Sequence, residues 1–230
     1  MSVLATTIEA LDWEEIARQL DGEGYALLPG LLLPDLPSIE EGTDEGWVSL
    51  TSVDMGRGKL YYYADDMPEP LGTLRQSLYP HLAAIANSWN QVLGVDDRYP
   101  LTLKAFQQRQ REVGQVRGQS HLSQLGESDY LALHQRAEDE LIFPLQLIGL
   151  LSAPGQDFTG GEFVMTEQRP RMQSRPMVLP LTQGDAAIIS TAQRPFKGSK
   201  GYYRVNLKHA ISRVRSGERR GLELFFHDTR

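Results

Sequence analysis

Apolar residues recur at helical spacing in the first half of the chain. Between Leu71 and Leu93, leucine, isoleucine and tryptophan return every three or four residues, which predicts a long amphipathic helix. Pro80 falls inside this helix, so we expect a kink there or a division into two helices. The pattern predicts three further elements in this half: a helix over residues 12–20 that Asp12 caps, a strand over residues 25–28 and a helix over residues 103–112.

The second half alternates between short apolar runs and turn signals such as Gln183-Gly184-Asp185. Many short strands at this spacing predict a β-sandwich or barrel. The predicted strands cover residues 130–133, 141–151, 161–166, 177–181, 186–190, 204–211 and 222–226. We therefore expect one mainly β domain over residues 1–230, with a mostly helical layer at 1–120 packed against a β-core at 121–230.

Composition narrows the classes of function. Hydrophobic residues make up 40% of the chain, enough for a packed core, and the net charge of -7 does not favour nucleic acid. The absence of cysteine excludes disulfides and thiolate metal sites and suits a reducing cytoplasm. No apolar run reaches the length of a membrane span, and the N-terminus lacks the pattern of a signal peptide. We expect a cytoplasmic protein without a membrane or nucleic-acid partner.

The residues that suggest chemistry lie between His134 and His209. His134 ends a predicted strand, and a Phe-Thr-Gly-Gly-Glu-Phe segment at 158–163 and a Gly-Asp turn at 184–185 precede His209. This order resembles the iron(II)/2-oxoglutarate-dependent oxygenases, specifically their prolyl-hydroxylase-like branch and a bacterial subfamily of oxygenases. The resemblance covers nearly the whole chain and includes residues 23–30, 53–55, 78–80, 143–146, 166–171 and 203–207.

The resemblance implies a fold, two cofactors and a set of site residues. The implied fold is a double-stranded β-helix, or jelly roll, with helices outside. His134 and His209 would hold iron(II). Arg219, about ten positions after the second histidine, would bind the distal carboxylate of 2-oxoglutarate, and Arg213 lies in the same basic cluster. A centre with two histidines and one carboxylate leaves three iron positions open for the co-substrate and oxygen.

Four departures from the family pattern affect this site. The ligand carboxylate expected two residues after His134 is replaced by Arg136, whose guanidinium offers no lone pair to a metal. Leu131 stands where an asparagine is common, and residues 124–126 replace an Arg-Tyr-Gly run. The serine or threonine that usually follows the co-substrate arginine by two residues is Gly221.

The sequence leaves two classes of function open. The first is an oxygenase that hydroxylates a small molecule or an amino-acid side chain, in which Glu138 or Asp139 could replace the missing carboxylate. The second is a non-catalytic relative that binds an organic anion or a protein partner. There Arg136 would take the functional role, because its guanidinium could replace the charge of the metal and hold the anion directly. A halide-binding centre with two histidines is disfavoured, because that pattern needs a small residue at position 136.

Overall fold

Two stacked antiparallel β-sheets form the centre of the molecule. The computed structural model of the chain describes residues 3–35, 39, 46–63, 67–135 and 139–230. Within these residues the helices are α1 (Val3–Glu9), α2 (Trp13–Glu23), α3 (Leu71–Val92) and α4 (Leu103–Glu112). The strands are β1 (Tyr25–Leu28), β2 (Trp47–Ser49), β3 (Gly56–Arg57), β4 (Lys59–Tyr62), β5 (His121–Leu125), β6 (Tyr130–His134), β7 (Leu145–Leu150), β8 (Phe158–Gly160), β9 (Phe163–Gln168), β10 (Arg175–Leu179), β11 (Ala186–Ser190), β12 (Gln193–Gly198), β13 (Gly201–Ile211), β14 (Val214–Gly217) and β15 (Arg219–Leu224).

The larger sheet has the strand order β1-β11-β7-β15-β5-β4-β2, and the smaller sheet has the order β10-β9-β13-β6-β3, with β12 also paired to β13. A short β8–β14 pair lies apart from both sheets. Several neighbouring strands in these sheets come from distant parts of the sequence, such as β1 and β11 or β5 and β15. This arrangement confirms the predicted mainly β jelly roll with helices outside it.

The helices cover one face of the larger sheet, and the smaller sheet lies against the other face. One apolar cluster joins α2 and α3 to the larger sheet and includes Leu20, Leu78 and Leu224. A second cluster fills the space between the sheets and includes Ile148 and Leu207. Successive strand residues point to opposite faces, so a strand of the larger sheet presents alternate side chains to the helices and to the smaller sheet.

The predicted helices agree well with the observed ones. Asp12 caps α2 by accepting a hydrogen bond from the Glu15 backbone N–H at 3.0 Å, and Gly24 ends the helix with a left-handed φ of 80°. Pro80 lies within α3, which the structure shows as one helix over Leu71–Val92. Among the described residues, no helix combines the length and apolarity that crossing a membrane would require.

The first half of the chain contains more strand than we predicted. The predicted strand at 25–28 is β1, and strands β2 to β4 also lie before residue 120 and join the two sheets, so this half is more than a helical layer. The strands β5 and β12 were also missed. The sequence of β5 is His-Leu-Ser-Gln-Leu. Its polar residues His121 and Ser123 are buried together with its leucines, so the strand lacks the apolar run that would have indicated a buried strand.

Candidate metal and co-substrate site

His134 and His209 meet on neighbouring strands of the smaller sheet. His134 ends β6 and pairs directly with His209 of β13, and their ring centroids are 4.2 Å apart. The register between β13 and β6 shifts between His209 and Ile211, which marks a β-bulge. Bulges are common beside active sites because they redirect a side chain. The structure thus brings together the two histidines that the sequence singled out.

A backbone hydrogen bond sets the tautomer of His134. Its Nδ1 lies 2.9 Å from the carbonyl oxygen of Ala132. A carbonyl oxygen only accepts hydrogen bonds, so Nδ1 carries the proton and Nε2 keeps the lone pair that a metal would use. Metal-binding histidines are commonly oriented in this way by a partner at the second ring nitrogen.

Glu223 of the larger sheet supplies a carboxylate to this histidine pair. One ligand atom from each of His134, His209 and Glu223 lies within 4.8 Å of the other two. His209 Nε2 lies 3.6 Å from Glu223 Oε2. Donor atoms on adjacent positions around an ion with bonds of about 2.1 Å lie about 3 Å apart, so small side-chain adjustments would close the site. The donor set fits a two-histidine, one-carboxylate metal centre.

Polar side chains surround the Glu223 carboxylate. Gln146 of β7 donates a hydrogen bond from Nε2 to Oε2 at 3.1 Å, and His121 Nε2 lies 3.8 Å from Oε1. Burial opposes ionisation of Glu223, but the contact with His209 and the electrostatic attraction of the neighbouring imidazoles of His121, His209 and His134 outweigh it and lower the pKa of Glu223 below its ordinary value. The carboxylate is therefore held in the ionised form that binds metals.

Of the two carboxylates predicted as substitutes, only Asp139 lies among the described residues, and it does not join this group. Asp139 accepts a hydrogen bond from Thr229 Oγ1 at 2.9 Å, and it is not part of the cluster around His209. Glu138 and Arg136 lie outside the described residues, so their predicted roles stay predictions.

Arg219 is buried at the start of β15, on the same face of the strand as Glu223. Its Nε donates to the carbonyl oxygen of Gly161 at 2.8 Å. Burial lowers the pKa of Arg219 to about 10, partly offset by Glu223, so the guanidinium stays charged at neutral pH. Gly161 has a φ of 64°, and a Cβ there would lie 2.9 Å from Arg219 Cδ, so this position needs glycine.

A cavity of about 410 Å³ adjoins Arg219. Its walls are largely apolar and include Phe158, Phe163 and Leu179. Phe163 also stacks on His209, with centroids 5.7 Å apart and planes 14° apart, so the cavity wall reaches the histidine pair. Arg213, the other predicted co-substrate residue, has an exposed side chain and is not among the lining residues.

The sequence patterns did not point to Glu223 or Gln146 as site residues. The signal for Glu223 was present in β15, where Arg219 and Glu223 are four residues apart and therefore share a face. His121 lies beside Glu223 but outside the three-residue group.

A model of the protein family described as "Oxygenase, catalysing oxidative methylation of damaged DNA" matches residues 58–229. The chain belongs to this oxygenase family. Two curated relatives of the oxygenase, the uncharacterized proteins Rv2227 and MT2286 of Mycobacterium tuberculosis strains H37Rv and CDC 1551, are each 41% identical over 155 residues. The match covers 67% of this chain and 66% of each relative, so the chain spans slightly less than two thirds of their length.

Solved structures share the fold of this oxygenase at low sequence identity. A Pseudomonas putida prolyl-4-hydroxylase is 12% identical with a TM-score of 0.56, covering 95% of this chain and 99% of that chain. A Burkholderia pseudomallei oxidoreductase of the 2OG-Fe(II) oxygenase family is 17% identical with a TM-score of 0.50, covering 96% and 93%. These likenesses, with the family match, confirm the resemblance to the iron(II)/2-oxoglutarate oxygenase superfamily.

Proposed function

We propose that this protein is an iron(II)/2-oxoglutarate-dependent oxygenase whose metal ligands are His134, His209 and Glu223. The observation that carries the proposal is the Glu223 carboxylate, which lies within 4.8 Å of a ligand atom from each histidine. Arg136 stands where the carboxylate ligand is expected after the first histidine, and Glu223 offers a replacement carboxylate from the opposite sheet. The centre would then keep the ligand types of its superfamily with one ligand moved to another strand.

The other residues of the pocket have roles that follow from their contacts. Iron(II), when bound, supplies the redox chemistry that couples oxidation of a 2-oxo acid to oxidation of a substrate C–H bond. Gln146 holds one oxygen of Glu223 in place through its 3.1 Å hydrogen bond. Arg219 presents a buried cation to the distal carboxylate of the co-substrate, and guanidinium–carboxylate pairs are strong when shielded from water. The apolar walls of the adjoining cavity would shield this pair from water once the co-substrate is bound.

For the substrate, we propose a small molecule or an amino-acid side chain oxidised by hydroxylation, in a cytoplasmic setting. The net charge of -7 supports a substrate other than nucleic acid. The family description names damaged DNA, so a substrate panel should include a methylated oligonucleotide. Co-substrate turnover stimulated by that oligonucleotide would overturn our expectation.

A metal-independent anion-binding protein is the second candidate function. It is favoured by Arg219, whose Nη1 is buried without a hydrogen-bond partner among the described residues. A buried guanidinium nitrogen without an acceptor costs free energy that an anionic ligand would recover. This alternative requires an anion to bind as tightly without iron as with it.

The test is an anaerobic titration of the purified protein with iron(II) and 2-oxoglutarate, followed by visible absorption. We expect a weak charge-transfer band that needs both components and that disappears in the His209→Ala variant. Absence of the band and of retained iron would refute the oxygenase proposal. A rise in melting temperature with 2-oxoglutarate alone would then favour the anion-binding protein.

A further inference from the structure

The outer face of the smaller sheet is basic in a chain that is acidic overall. Residues 163–211 contain eight lysines and arginines but two aspartates and glutamates, whereas the whole chain carries a net charge of -7. The described strands of this sheet, β3, β6, β9, β10, β12 and β13, contain a single carboxylate, Glu167. Glu167 is buried and pairs with Arg194 and Arg169, so it does not neutralise the outer face.

The alternation of β13 places two cations on this face. Val205, Leu207 and His209 are buried on the side that faces the larger sheet, whereas Arg204 and Lys208 are exposed on the opposite side. Neither cation forms an ion pair with a residue that the structure describes. Both charges are therefore available to an anionic partner.

The neutral residues on this face favour a polypeptide over a nucleic acid. The exposed Lys197 pairs directly with Tyr202, which is 45% exposed, and Asn206 accepts a hydrogen bond from Gln193 at 2.9 Å. Nucleic acids gain affinity from many phosphate contacts along a continuous row of charges. Here neutral side chains separate the cations, and the acidic remainder of the chain would repel a long polyanion. A segment with a few carboxylates among neutral residues fits this pattern better.

The outer face leads to the cavity beside the proposed metal centre. Val178 of β10 is 57% exposed and also lines the cavity of about 410 Å³. It lies in the same cross-strand row as Ala210, two residues beyond Lys208 on β13. At about 3.4 Å per residue, this row is about 20 Å from Arg204, the span of roughly six extended residues. A short extended peptide can therefore contact the cations and reach the cavity.

We propose that the outer face of the smaller sheet binds an acidic segment of a polypeptide in an extended conformation. Arg204 and Lys208 lie about 14 Å apart along β13, so they would hold two carboxylates that are about four residues apart. A side chain about six residues from the carboxylate on Arg204 would then reach the cavity. That this side chain is the one oxidised rests on the proposed function, but the binding of the acidic segment does not.

The probe is a fluorescent twelve-residue peptide of three Glu-Ser-Gly-Ser repeats, titrated with the full chain at low ionic strength and followed by anisotropy. We expect it to bind more tightly than the same peptide with glutamine in place of glutamate. Arg204→Glu/Lys208→Glu should weaken binding by about tenfold or more, because two attractive contacts become repulsive. The matched control is Lys104→Glu/Arg111→Glu, which changes the net charge equally at exposed positions of α4 and should bind like the wild type.

Equal binding of the two peptides to the wild type, or an equal loss in the α4 control, would overturn the docking face. Tighter binding of a twelve-nucleotide single-stranded DNA, lost in Arg204→Glu/Lys208→Glu, would overturn the polypeptide in favour of a nucleic acid. The same variant should keep the band with iron(II) and 2-oxoglutarate, because both cations point away from His209. Peptide binding without that band would refute the oxygenase and keep the docking face, and the band without peptide binding would do the reverse.

Discussion

Replacing Glu223 with glutamine removes a charge from the proposed metal centre with little change in shape. The amide keeps an oxygen that can accept from Gln146, whose Nε2 lies 3.1 Å from Oε2 in the wild type. Two unit charges about 4 Å apart interact by about 4 kcal/mol at an effective dielectric constant of 20. A divalent ion bound closer than that loses at least this amount, so metal affinity should fall by at least about 1,000-fold.

The assay is calorimetric titration of metal-free protein with Mn(II) or Co(II), with the Co(II) visible spectrum as a report on ligand geometry. His209→Ala should lose affinity to a similar extent, because it removes another ligand of the same group. Asp139→Asn is the matched control, since Asp139 is the described carboxylate that the sequence offered as a substitute and it bonds Thr229 instead. Wild-type affinity in a folded Glu223→Gln variant would refute Glu223 as a ligand, and a loss in Asp139→Asn would point to that residue.

Three further perturbations test the surroundings and the fold. Gln146→Leu removes the hydrogen bond to Glu223 and should weaken Mn(II) binding by roughly 10–100-fold in the same titration, whereas unchanged affinity would show that Gln146 does not position the ligand. Arg194→Ala removes the buried one of the two arginines that pair with the Glu167 carboxylate, with Arg169 remaining at 2.9 Å, and should lower the free energy of unfolding in urea by about 3 kcal/mol, a loss that a purely surface ion pair would not produce. Burial raises the pKa of Tyr79 above its ordinary value. The free energy of unfolding of the wild type should therefore keep its full value below about pH 10 and fall above it, whereas Tyr79→Phe should resist alkaline unfolding. Parallel curves of the free energy of unfolding against pH for the two proteins would contradict this.

The histidines and the jelly roll could be predicted because their signals are local or follow the order of motifs. His134 ends a run of strand-forming residues, and the alternation of β13 places His209 on the buried face with Leu207. The long helix α3 follows from its leucine spacing alone. Its proline did not interrupt it, because one buried face of the helix packs along its length against the core.

The sequence indicates that Glu223 shares a strand face with Arg219, but not that Glu223 lies beside the two histidines, because those histidines come from the other sheet. It lies between Leu222 and Leu224, which pack toward the helices, so the segment has the pattern of an ordinary core strand. Only the stacking of the two sheets places the alternate face of β15 against His209.

Moving the carboxylate back to its family position tests whether the two sites are interchangeable. Position 136 follows His134 by two residues, where related oxygenases have their ligand carboxylate, and residues two apart in an extended chain share a face. In the Glu223→Gln background, Arg136→Asp should recover at least about tenfold of the lost Mn(II) affinity, because it removes a repelling cation and restores a ligand.

The control for this exchange is Arg136→Asn in the same background, which removes the cation without adding a charged ligand. Recovery with aspartate but not with asparagine would mean that Glu223 replaced a ligand at a site that can still accept the family arrangement. Equal recovery with both would assign the effect to repulsion by Arg136. No recovery in two folded variants would contradict the exchange and mean that the metal position moved toward the larger sheet when Glu223 became its ligand.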